Sequence, residues 1–132
     1  MIIAMLTVGA SAAQHTLRMK IKGVESTEGK VSAALYTDQN SFLKFDKVFK
    51  SVSAKAEKGV TMLRVEDIPD GTYAVAVFHD KNGNGKLDTN FLGIPKEPVA
   101  FSNAKMKTFG PPKFSECAFR ITKDTEISIS FE

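Results

Sequence analysis

The chain predicts an all-β fold: a single antiparallel β-sandwich of about seven strands, immunoglobulin-like or transthyretin-like, with one long aromatic loop. Three observations lead there. Apolar residues recur with period two over short runs such as TLRMKIKG and KVSAALYT, which places them on one face of half-buried strands. Turn residues separate these runs, and no long 3.6-residue period appears. A further run, TYAVAVFH, is apolar on both faces, as expected of a strand central in its sheet.

Taken in order, the chain opens with MIIAMLTVGASAA, which carries no charge. An apolar run leading into small residues reads as a secretory signal peptide over residues 1–13, cut near Ala12 or Ala13, although a basic start is missing. The stretch is too short to span a bilayer. Residues 14–132 then form one domain. In the first strand Leu17, Met19 and Ile21 point one way and Arg18, Lys20 and Lys22 the other. VESTEG reads as a hairpin loop into the second strand, with Val31, Ala33 and Leu35 inward. Phe42, Phe45 and Phe49 have the spacing of one helical turn. Strands are expected from Val48 to Ala56 and from Val60 to Asp67. The turn IPDGTY leads into the fifth strand, where Tyr73 is placed to cap the corner by bonding back to the chain. The last two strands run from Cys117 to Thr122 and from Glu126 to Phe131, with Cys117 on the face of Phe119 and Ile121.

Composition narrows the function classes. Hydrophobic residues at 42% and charged residues at 25% are the balance of a folded domain. The 18 basic and 15 acidic residues are scattered without a block, which argues against nucleic acid and for lysines that keep the surface and strand edges soluble. With Cys117 the single cysteine, no internal disulfide forms, and a thiol on an apolar face is inert. His79 belongs at the core rim, bonded to a loop carbonyl, and His15 in an unordered start. There is no nucleophile elbow, phosphate-cradling loop or dinucleotide fingerprint, so no enzyme is expected.

The stretch HDKNGNGKLD is the one place with site chemistry. Numbered from Asp80, it puts Asp80, Asn82 and Asn84 at positions 1, 3 and 5 of a calcium-type loop. Gly85 follows at the sharp turn, then the Lys86 carbonyl and Asp88 at positions 7 and 9. Oxygens on alternate residues suit a hard cation, and two carboxylates beside Lys81 and Lys86 suit weak binding, roughly 10⁻⁴ to 10⁻³ M. Position 12 is Phe91, so the bidentate glutamate is missing and this is no EF-hand. The other reading is a metal-free turn in which NGNG supplies positive φ. If strands alternate up and down, Glu25, Glu28 and Glu57 share the pole of this loop, whereas Asp38, Asp67 and Asp70 lie at the far one. Glu97 is the nearest other carboxylate in sequence.

From Thr89 to Lys113 the alternation is lost for about 25 residues, far beyond an ordinary loop. Residues 91–119 hold five of the ten phenylalanines, and prolines stiffen the segment. It reads as a lid over one open end of the core or as a binding surface, with Phe91, Phe101, Phe109 and Phe114 lining a pocket for a small apolar ligand.

GTYAVAVFHDKNGNGKLDTNFLGIPKE, then FSN, then FGPPKF, closely resembles the bacterial family of domain of unknown function 2141. The resemblance is densest from Gly71 to Phe114. It implies an exported β-sandwich and brings no activity with it. Where FSN is often followed by arginine and glycine in that family, this chain has AKMK. The expectation is thus a periplasmic or secreted, monomeric binding or accessory module with a calcium-type loop and no stable membrane span. Its partner is an unknown protein or a small apolar ligand. The alternatives are a carrier of small apolar ligands and a hydrolase-type enzyme using His79 and Asp80.

Overall fold

The computed structural model describes residues 14–83, 97–108 and 110–131. The expected signal segment, residues 1–13, therefore lies outside the described residues, and the first strand begins directly after it. The strands are β1 (Gln14–Val24), β2 (Lys30–Tyr36), β3 (Lys50–Lys55), β4 (Gly59–Pro69), β5 (Gly71–Asp80), β6 (Val99–Phe101), β7 (Phe119–Ile121) and β8 (Thr125–Ser130). A 3₁₀ turn, Phe45–Lys47, precedes β3, and one turn of helix, α1 (Phe114–Cys117), precedes β7.

Two sheets face each other. One is ordered β4-β1-β8; the other is ordered β3-β2-β5-β6, with β7 also on β5. Alternation explains the layering: Leu17, Met19, Ile21, Val31, Leu35, Leu63, Val75 and Val77 are buried between the sheets, while Arg18, Lys20 and Lys22 are exposed. The apolar β5 is central, between β2 on one side and β6 and β7 on the other.

Three expectations about pairing change. β1 and β2 belong to different sheets, so VESTEG is a crossover between layers and not a hairpin. β8 pairs with β1 in parallel, from Leu17↔Thr125 to Lys22↔Ser130, so the sandwich is not wholly antiparallel. β6 and β7 both run antiparallel to β5, so the alternation of direction breaks once between them and β8 runs the same way as β1. The segment without alternation contains β6, which pairs through Ala76↔Phe101 and Phe78↔Val99. Three residues with Ala100 buried on one side and Phe101 on the other show no period to read.

The described part of the aromatic segment, 97–108 and 110–113, also sits elsewhere than expected. It does not close an end of the core. Phe101 and Phe114 lie on the outer side of the five-stranded sheet, in a second cluster with Tyr36, Phe42, Ala74 and Cys117. Phe42 is its centre, meeting the rings of Tyr36, Phe101 and Phe114 at centroid distances of 5.4, 6.4 and 6.0 Å. Cys117 ends α1 instead of starting a strand, and packs here, while Phe119 and Ile121 turn into the main core. Burial of the thiol is as expected; its surroundings are not.

Candidate functional site

The upper pole of the sandwich gathers the ends of β1, β3 and β5. The strand register sets this: Lys30 at the start of β2 pairs with Asp80 at the end of β5 and with Lys55 at the end of β3. Glu25 and Glu28 in the β1–β2 crossover reach this pole, as does Glu57, whose backbone is tied at both N–H and C=O to the Thr61 hydroxyl. The approach is tight at Gly29, with φ +65: a Cβ there would fall 2.0 Å from the Asp80 carbonyl oxygen. Only glycine lets the crossover backbone pass so close.

Successive residues of β5 face opposite ways, and this divides His79 from Asp80. His79 is buried in the inner layer, where its Nε2–H donates to the Glu28 carbonyl at 2.7 Å, as the sequence leads one to expect. Its Nδ1 has no hydrogen-bond partner among the described residues. Asp80 turns to the outer side and is only 1% exposed. The two side chains therefore do not form one site.

Beyond Asp80 the chain makes a tight turn closed by Gly83 N–H donating to the Asp80 carbonyl (3.2 Å), with Gly83 at φ +68. Glu97 returns from the far end of the loop. It is 9% exposed, and its Oε2 accepts the Lys81 N–H at 2.7 Å, while His79 N–H donates to the Pro98 carbonyl at 3.0 Å. The Lys81 ammonium turns away to Glu25 at 2.8 Å. Hydrogen bonding to Lys81 lowers the Glu25 pKa, and the same contact raises that of Lys81. Asp80 and Glu97 are thus two buried carboxylates at one strand end, with Asn82 beside them. Of the remaining expected ligands, Asn84, Lys86 and Asp88 lie outside the described residues. Among the described residues, no group of three or more His, Cys, Asp and Glu side chains is placed to hold a metal ion.

Phe91 and Phe109 of the expected apolar pocket likewise lie outside the described residues, and Phe101 and Phe114 are engaged with Phe42. His15, expected in an unordered start, is a buried residue of β1, and its Nε2 meets Asp70 Oδ1. β1 is ordered from its first residue because Gln14 pairs with Pro69. Tyr73 caps the corner as expected, its hydroxyl donating to the Pro69 carbonyl at 2.6 Å.

The FSN stretch has a role that sequence reasoning did not find. Phe101 enters the outer cluster. The buried Ser102 hydroxyl accepts the Val75 N–H (3.0 Å) and donates to the Cys117 carbonyl (2.7 Å). Asn103, at φ +57, donates from Nδ2 to the Ala118 carbonyl at 3.1 Å. A small hydroxyl followed by a residue that tolerates left-handed backbone was the available signal.

No helix among the described residues is long and apolar enough to cross a membrane. Neither the curated proteins nor the solved structures hold a match to the chain. Residues 19–129 match a bacterial family described as "uncharacterized protein conserved in bacteria", domain of unknown function 2141. With that match running from β1 into β8, the chain belongs to this family.

Proposed function

We propose that the protein is an exported, non-catalytic binding or accessory module whose loop after β5 takes up a divalent cation of calcium type. The observation that carries this reading is the burial of Asp80 and Glu97 together at the end of β5. Asp80, Asn82 and Glu97 bring side-chain oxygens to the strand end from which the loop leaves, Glu97 being held there by the Lys81 N–H. The donor set is oxygen only, which fits a hard cation. Asp80 would hold the first loop position and Asn82 the third. Glu97 would supply the second acidic group that Phe91, at position 12, cannot. Bound there, the cation would tie the two ends of the loop, residues 80–83 and Glu97, to each other.

Calcium titration of thermal unfolding tests this. A cation that binds only the folded state adds about 2.7 kcal/mol at 100 times its dissociation constant, several degrees for a domain of this size. The shift should vanish in Asp80→Asn and weaken in Glu97→Gln. A flat wild-type titration to about 10 mM, beyond the weak extracellular range, would leave the stretch as a turn only. Export is tested separately by N-terminal sequencing of protein recovered from a bacterial periplasm. A start near Ala13 or Gln14 is expected, and soluble cytoplasmic protein retaining Met1 would refute it.

A further inference from the structure

The outer face of the β4-β1-β8 sheet departs from the usual rule that the solvent side of an antiparallel pair is polar. Val60 and Met62 of β4 point outward, 40% and 45% exposed. They stand directly across from Lys22 and Lys20 of β1. On the other flank the outward residues are Ser130 and Ser128 of β8, which carry no charge. Lys22 and Lys58 line an open recess of about 440 Å³ together with Gly23, Gly59 and Val60. The single acid at its rim, Glu25, is paired with Lys81. The lower half of the face differs: Arg64 pairs with Glu66 at 2.9 Å, and Arg18 stands opposite Glu126. Among the described residues Lys20, Lys22 and Lys58 make no ion pair, and they stand in the upper half of the face beside exposed apolar side chains.

From this we infer that the upper half of this face docks on an anionic phospholipid bilayer. Lys20, Lys22 and Lys58 meet headgroup phosphates, one of them seated in the recess between Lys22 and Lys58, and Val60 and Met62 enter the interfacial layer. Lysines around apolar side chains on a flat face are the composition of a surface-lying contact. A patch that served only solubility would not need the two apolar side chains between its lysines. Each lysine near such a surface adds about fivefold to partitioning. Docking of this kind is reversible and needs no spanning segment.

Cosedimentation with phosphatidylcholine vesicles, plain or with about 30% phosphatidylglycerol, reads this out. The wild type should bind only the anionic vesicles, in chelator as well as in calcium, and should leave them as salt rises. The chelator condition separates this surface from the cation loop. The Lys20→Gln, Lys22→Gln, Lys58→Gln triple variant should lose roughly a hundredfold in partitioning. Val60→Ser with Met62→Ser should lose about tenfold while keeping the salt dependence. A second triple variant, Lys44→Gln, Lys47→Gln, Lys105→Gln, removes the same charge elsewhere and should bind as wild type. All these side chains are exposed, so far-UV circular dichroism should be unchanged. Equal loss in the two triple variants would mean that net charge and not this face decides, and would overturn the inference. So would failure of the wild type to bind anionic vesicles, or binding of inorganic phosphate without any binding of vesicles.

Discussion

Cys117 is fully buried, and burial, with Glu116 adding to it, pushes its thiol from the ordinary 9.0 up to about 11. A raised pKa means that the folded chain keeps a proton which the unfolded chain releases first. Stability is therefore unaffected below the unfolded value and falls as pH rises from 9.0 to about 11. The tyrosines also titrate in this window, so the informative quantity is the difference between the wild type and Cys117→Ala. Below pH 9 the two urea-derived stabilities should differ by a constant. Above it the wild type should lose about 2 kcal/mol more than the variant. Parallel curves across the whole range would place the thiol in contact with water. Rapid alkylation of the native protein would say the same.

At the scale of elements, Ser102 joins three that are otherwise weakly connected. β6 is three residues long, α1 is a single turn, and β5 lies beneath them. One hydroxyl satisfies a backbone donor of β5 and the last carbonyl of α1. Ser102→Ala would leave both groups buried without that partner, at about 1–3 kcal/mol for each. We expect a loss of about 3 kcal/mol in urea unfolding. Ser115→Ala, on the exposed side of α1, should change stability by no more than about 0.5 kcal/mol. Similar small effects from both would mean that the outer cluster of Phe42, Phe101 and Phe114 alone holds this layer.

At the scale of the whole molecule, the parallel pairing of β1 with β8 joins the two ends of the described chain. The three-stranded sheet cannot close until nearly all the sequence is in place, which makes folding one cooperative event dominated by non-local contacts. Removing residues 125–131 would uncover the hydrogen-bonding edge of β1 and delete Ile129 from the main core. The expected result is a chain without a cooperative urea transition. If the shortened chain unfolds cooperatively within about 1 kcal/mol of the full one, β8 is an ornament of the sheet rather than its closure.

The identity of most strands, and the face each one buries, was determined by the sequence alone. Period-two alternation is a local property, so Leu17, Met19 and Ile21 declare an inner face wherever their partners are. The Tyr73 corner and the carbonyl partner of His79 were legible for the same reason: each depends on where a strand ends. Tertiary structure decided which strands became neighbours. Alternation records that a face is covered but not by what, so neither the parallel β1–β8 pair nor the crossing of VESTEG between sheets could be read. β6 was hidden because it is covered on both sides. Cys117 was assigned to the wrong cluster because the turn of α1 rotates it away from the alternation that Phe119 and Ile121 keep. At the candidate site, Asp80 and Asn82 were visible in the spacing of one short stretch. Glu97 came to lie beside them through the backbone bonds that return the chain to β5, a long-range closure that local pattern does not encode.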